Sequence, residues 1–206
     1  MQNSFLFSDT FLTIESATEA VYKEKGSKFL AFASPISSET EAKELLADLR
    51  KQFFDATHHC FAYALGRNLG IKRQSDDGEP NGTAGMPILN QIKSKKLTNI
   101  LVVVVRYYGG TKLGAAGLVN AYKTSASECL ANALIVEKIV CKKMRIFFEY
   151  LQMNEVMKIM KENDLQMISQ KFDNDCQIIL EIRESLVEKV QKQFEKIKNL
   201  VIDDPS

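Results

Sequence analysis

MRIFFEYLQMNEVMKIM, running from Met144 to Met160, changes its period in the middle, and that change sets the fold of the C-terminal third. Met144, Ile146, Phe148 and Tyr150 alternate as on a half-buried strand; Met153, Val156, Met157 and Met160 then recur at helical spacing. Outward from there, Leu165 to Phe172 reads as a strand and Asp173-Asn174-Asp175 as a hairpin-type turn. Cys176, Ile178, Leu180 and Ile182 alternate again, Leu186, Val190, Phe194 and Ile197 form a second helical stripe, and Leu200 to Ile202 reads as a last strand. The order is β-α-β-β-α-β, the split βαβ of ferredoxin-like domains. The methionine stripe is read as core packing, not as a cofactor box.

The first two-thirds reads as a separate α+β unit, giving an α+β protein of two domains, 1–137 and 138–206. Phe11 to Glu15, Val21 to Lys25 and Phe29 to Pro35 are expected strands, with Gly26-Ser27 a tight turn. Ser38 followed by Glu41 has capping-box spacing, and Ala42, Leu45, Leu46, Leu49 and Phe53 line the helix after it. His58 to Leu65 alternates as a strand. Gly66 to Thr83 reads as a polar loop. Thr98 to Val105 is continuously apolar and β-branched, as in a central strand covered on both faces. Val119, Tyr122, Ala126, Cys129, Leu130 and Ala133 complete a helical stripe.

With 206 residues and a formal net charge of +1, bulk basicity is excluded as a route to nucleic acid, so any such binding needs a local patch. One exists: no Asp or Glu occurs between Pro80 and Ser127, while Lys93, Lys95, Lys96, Arg106, Lys112 and Lys123 do. Within it, VVVVRYYGGTKLGAAG (Val102 to Gly117) carries a strand through Arg106, Tyr107 and Tyr108 into Gly109-Gly110, Lys112 and a small-residue helix. Glycines let backbone amides approach an oxygen, the helix start adds partial positive charge, and Arg106 and Lys112 add full charges. The plain alternative is a strand-to-helix turn whose glycines serve geometry alone. Neither the Walker A nor the dinucleotide-binding glycine pattern is present, so nucleotide hydrolysis is not supported. An exposed Tyr108 beside Arg106 could stack on a base.

The loop KRQSDDGEPNGTAGMP (Lys72 to Pro87) brings Asp76, Asp77 and Glu79 within four residues, beside Lys72 and Arg73. Such carboxylates suit a hard cation such as Mg²⁺ or an ion pair with the basic neighbours. Asp-Gly, Asn-Gly and Glu-Pro are turn formers, and a solvated loop is the plainer reading. No metal or cofactor site is assigned. His58 and Cys60 share a strand face and could form a thiolate pair, or simply pack. His59 faces the other way.

Cys60, Cys129, Cys141 and Cys176 make no Cys-x-x-Cys pair, as expected of reduced thiols in a cytoplasmic protein. The start of the chain has no basic segment ahead of an apolar one, and Ile100 to Val105 is too short to span a bilayer. No signal peptide or membrane association is expected.

Three stretches together, His58-x-Cys60-x-Ala62-Tyr63, SDDGEPNGTAGMP (Ser75 to Pro87) and VVVVRYYGGTKLG (Val102 to Gly114), resemble the IMPACT/YigZ family. Two positions depart from the family pattern, Ala116 where glycine is expected and Asn120 where a basic residue is. The resemblance implies an N-terminal domain like the second domain of a small-subunit ribosomal protein, with a left-handed βαβ crossover allowed. It implies a C-terminal domain like the last domain of elongation factor G. Ribosomes or structured RNA are the partners it points to, and eukaryotic relatives act in translational control by restraining a starvation-responsive kinase through a protein partner. The leading expectation is a non-enzymatic RNA- or ribosome-binding protein with Lys72, Arg73, Arg106, Lys112 and the Gly109 and Gly110 amides at the phosphates and Tyr108 at a base. The alternative is a hydrolase-like enzyme acting on a phosphorylated or peptide-like substrate through His58, Cys60, Asp76, Asp77 and Glu79. A third reading is a protein-protein module in the kinase pathway.

Overall fold

The computed structural model describes residues 9–172 and 175–203. Its contacts gather into two units, one of Phe11–Lys138 and one of Asp9 and Thr10 with the described residues from Ile139 onward.

In the first unit, β2 (Thr18–Glu24), β3 (Ser27–Pro35), β6 (Ile100–Tyr107), β4 (His58–Leu65) and β5 (Ile71–Ser75) form an antiparallel sheet in the order β2-β3-β6-β4-β5. Every residue from Ile100 to Arg106 is buried, because β6 is the central strand and helices cover both its faces. On one face, α1 (Glu39–Gln52) packs Ala42, Leu45, Leu46 and Leu49 against Leu30, Tyr63, Leu101, Val103 and Val105. On the other, α2 (Gly85–Ser94) and α3 (Gly114–Ala131) lie over Ala31, Ala33, Ala62, Ala64, Val102 and Val104. β1 (Thr10–Ile14) pairs with β7 (Ile135–Ile139) in a separate two-stranded sheet.

α1 begins as its sequence indicates. The Ser38 hydroxyl accepts from the Glu41 amide at 3.1 Å, while the Glu41 carboxylate reaches back to Ser37, both amide and hydroxyl, one residue earlier than a capping box requires. One expectation fails. The loop expected from Gly66 to Thr83 contains β5, an edge strand whose exposed polar side chains give no alternation to read. Helix α2 has no capping residue next to it in sequence, so its start is invisible locally.

The second unit contains β8 (Cys141–Glu149), α4 (Met153–Glu162), β9 (Gln166–Lys171), β10 (Asp175–Arg183), α5 (Val187–Phe194) and β11 (Val201–Asp203). The strands pair antiparallel in the order β11-β8-β10-β9, the ferredoxin-like arrangement of a split βαβ. Its core is Met144, Ile146, Phe148, Ile178, Leu180 and Ile182 under Val156, Met160, Val190 and Phe194. Tyr150 breaks the strand pattern: β8 stops at Glu149, and Tyr150 is 68% exposed in a short 3₁₀ turn. Met157 is likewise exposed. Asp173 and Asn174, expected in a turn, lie outside the described residues. Asp9 belongs to this unit, with its carboxylate held by Arg183 at 2.6 and 2.7 Å.

Candidate functional site

Phe29 on β3, Arg106 on β6 and His58 on β4 stand in register across three neighbouring strands at one end of the sheet. All three face the α2–α3 side, as do Val102, Val104 and Cys60. Two loops close over this end: the acidic loop that follows β5 and the glycine loop that follows β6. Tyr122 reaches the same place from α3.

At its centre is a buried ion pair. Arg106 Nη1 lies 2.6 Å from Glu79 Oε1, with side chains 6% and 3% exposed. The Tyr122 hydroxyl donates to the same carboxylate oxygen at 2.7 Å. The guanidinium also lies 5.5 Å from the Phe29 ring centre and 5.7 Å from that of Tyr108, both within cation–π range. His58 Nδ1 is 2.8 Å from the Asp77 carbonyl, which can only accept, so Nδ1 carries the proton. His58 Nε2 is 3.8 Å from Glu79 Oε1, beyond hydrogen-bond length. Burial, followed by the neighbouring Cys60 and Glu79, pushes the Tyr122 hydroxyl well above the ordinary tyrosine range, so it stays a donor.

The other two acids serve the backbone. Asp76 Oδ1 accepts from the amides of Ala84 and Gly85, each at 2.9 Å, and Oδ2 accepts from Gly82 at 2.9 Å. Asp76 is therefore the cap of α2, supplied from nine residues ahead of Gly85. Burial alone would raise the Asp76 carboxyl, but the three amides outweigh it and hold it below the usual carboxylate value. Asp77 accepts from the His59 amide at 2.6 Å and pairs with Arg50 at 2.5 Å, tying the loop to α1.

Gly109 is needed for space. A Cβ there would sit 1.9 Å from the Gly26 carbonyl carbon, so the β2–β3 turn and the glycine loop touch backbone to backbone. Ser27, fully buried between them, accepts from the Gly109 amide at 3.1 Å and from Arg106 at 3.4 Å. Gly110 instead has φ +83° with open space around it. Tyr108 is 48% exposed and Lys112 is exposed.

This placement corrects several expectations. Arg106 is no phosphate ligand here: it is 5% exposed and its charge is answered by Glu79. Lys72 and Arg73 belong to strand β5, where successive side chains point to opposite faces. Lys72 pairs with Ala64 on the α2–α3 side and Arg73 with Tyr63 on the α1 side, so they do not converge with Lys112. The catalytic alternative loses its thiolate. Cys60 is 0% exposed, and its thiol lies 3.0 Å from the Asp76 carbonyl and 3.3 Å from Tyr122. Burial pushes that thiol far above the range of a nucleophile. Asp76 and Asp77 accept on both oxygens from internal partners, and Glu79 accepts twice on Oε1. Among the described residues, no three His, Cys, Asp or Glu side chains gather as metal ligands.

Sequence reasoning missed the role of Tyr122, which it placed in a plain helical stripe. It also missed the way the acid-free segment folds. α2 and α3 pack side by side, and their outer surface exposes Lys93, Lys96, Lys112 and Lys123. The only signal was the absence of acids from that segment.

The acidic and glycine loops lie within 25–130, the span that matches the Impact N-terminal domain. The IMPACT family member YvyE of Bacillus subtilis is 38% identical over 154 residues, covering 75% of this chain and 71% of that protein. The family member YigZ of Escherichia coli is 33% identical over 165 residues, covering 77% and 79%. Neither is named for a reaction. A crystal structure of a hypothetical protein superposes with a TM-score of 0.71 at 25% identity, covering 97% of this chain and 99% of that one. With a matching domain over half its length and a relative 38% identical over three quarters of it, this chain belongs to the IMPACT family.

Proposed function

We propose that the protein is a non-catalytic RNA- or ribosome-binding protein that acts in the regulation of translation. The observation that carries this reading is the α2–α3 surface, where the segment between Pro80 and Ser127 exposes lysines and contributes no carboxylate. Lys112 and the exposed ring of Tyr108 stand at the end of this surface that holds the Gly109-Gly110 loop. A lysine-lined face suits phosphates as point charges, and an exposed tyrosine suits an unpaired base. The family resemblance supports the same direction, through its likeness to domains of a ribosomal protein and of elongation factor G. Such likeness of fold is an analogy and leaves the RNA unspecified.

Cosedimentation with ribosomes over a salt series tests the reading. Binding should weaken linearly on a log–log plot, and the triple change Lys93→Ala, Lys112→Ala, Lys123→Ala should lower the slope by about 0.7–0.9 for each phosphate that a lysine no longer neutralises. No cosedimentation at low salt, or an unchanged slope in the triple variant, would refute it. Arg106→Ala is unsuitable as a probe, because it disturbs the fold first.

A further inference from the structure

On the opposite, α1 side of the sheet, the strand that sequence reasoning took for loop leaves an open edge. Among the described residues β5 pairs with β4 alone, and Ile71, Lys72, Arg73 and Gln74 are all exposed. Between β5 and α1 lies a cavity of about 420 Å³, lined by Ala42, Leu46, Phe61, Tyr63, Lys43 and Arg73 among others. Its apolar floor is the stacked pair Phe61–Tyr63, with ring centres 6.3 Å apart. Its two charged lining residues are both cations.

One buried polar group in that floor is unsatisfied. Tyr63 is 3% exposed, and its hydroxyl has no hydrogen-bond partner. Glu39 stands beside the hydroxyl as an acceptor and Arg73 as a donor, both outside full hydrogen-bond geometry. They form instead a loose ion pair of 3.8 Å, with side chains 39% and 62% exposed. Exposed pairs of this kind contribute little and exchange partners readily. A buried hydroxyl without a partner is uncommon in a folded protein, and an incoming acceptor would satisfy it.

We infer that β5 and this cavity form a docking site for an extended acidic peptide segment of a partner protein, added to the sheet as a sixth strand. A free edge supplies main-chain donors and acceptors, and a pocket beside it selects alternate side chains. The five residues of β5 span roughly 17 Å, enough to pair a segment of similar length. One apolar side chain of the segment would enter over Phe61 and Tyr63, with an acceptor at the Tyr63 hydroxyl. Carboxylates two residues away, on the same face, would meet Arg73 and Lys43. Charge also argues against a second copy as the occupant: antiparallel pairing of two β5 strands would set Lys72 and Arg73 against their own kind. The site is separate from the lysine surface of α2 and α3, so its fate does not follow that of the RNA-binding reading.

The probe is a blocked, fluorescein-labelled heptapeptide with a central phenylalanine, aspartate two residues to either side of it and threonine elsewhere, titrated against the full chain by anisotropy. Saturable binding is expected, with amide shifts at Lys72 to Ser75 in ¹H–¹⁵N spectra. Arg73→Glu should weaken it about tenfold or more, and Tyr63→Phe, which keeps the packing, by several-fold. N-methylation of alternate peptide amides should abolish binding in one phase and spare it in the other, as strand pairing requires. No saturation below about 1 mM would overturn the proposal. So would equal binding of a lysine-for-aspartate peptide, shifts confined to α2 and α3, or a dimer formed through β5. Folding of Arg73→Glu is checked by its unchanged spectrum away from β5.

Discussion

The two units fill their cores in opposite ways. The ferredoxin-like unit buries aliphatic side chains, methionines, Phe148, Phe194 and Cys176, and keeps its Asp9–Arg183 pair at its margin, where the Arg183 side chain is 45% exposed. The N-terminal unit ends its core in a buried arginine, a glutamate, a tyrosine and a thiol wired together. An apolar core tolerates small changes of shape, whereas a buried ion pair is sensitive to the loss of either partner. Residues that look like a reactive centre in the sequence here fasten two loops to one sheet end.

The largest effect should come from breaking the pair. Glu79→Gln leaves Arg106 charged and uncompensated, and the N-terminal unit should lose about 3–5 kcal/mol. Ile178→Val, at a fully buried position of the second unit, should cost only about 0.5–1.5 kcal/mol. Amide exchange at Val102 to Val105 against Ile178 to Leu180 reads the two units separately. Replacing both partners, Glu79→Leu with Arg106→Met, should recover most of the loss, as apolar substitution of buried pairs often does. If the single change is harmless, the contrast between the two cores is wrong.

A second test works within one dipeptide. Gly109→Ala forces a methyl into the Gly26 backbone and should cost about 3 kcal/mol or more by overpacking. Gly110→Ala meets no atoms and should cost only the left-handed backbone penalty, about 1–2 kcal/mol. Urea unfolding of the two variants decides it. Equal losses would mean that Gly109 is needed for backbone freedom and not for close approach.

The same contrast explains what could be read from the sequence. In the second unit the apolar period is local: Met144, Ile146 and Phe148 announce their strand without help from distant residues, and the strand order followed. Central strand β6 was readable for the same reason. The site was not, because its parts satisfy one another at long range. Arg106 looks like a free cation until Glu79, 27 residues earlier, is folded onto it. Asp76 looks like a metal ligand until its oxygens are found capping a helix that starts at Gly85. Strand β5 escaped notice since an exposed edge needs no apolar alternation, and that same exposure is what leaves its edge available.

The smallest effect concerns acid. Asp76 in one unit and Asp9 in the other both have carboxyls held below their unfolded value, Asp9 chiefly by Arg183 and Ser185. A depressed folded value stabilises above the unfolded carboxylate value, about 4, and that contribution fades as pH falls through the folded value. Asp76→Asn keeps an acceptor at the α2 cap but removes its charge, so the loss at pH 7 should be about 1 kcal/mol or less. Asp9→Asn should act in the same direction on the second unit. Thermal unfolding of each variant and of the unaltered chain should therefore differ at pH 7 and converge as the pH is lowered below about 4. Because Asp76 binds amides and Asp9 binds a guanidinium, added salt should shrink the Asp9 difference more than the Asp76 difference. Identical salt dependence would place both carboxylates in the same kind of environment and erase the distinction between a wired core end and a pair open to solvent on its arginine side.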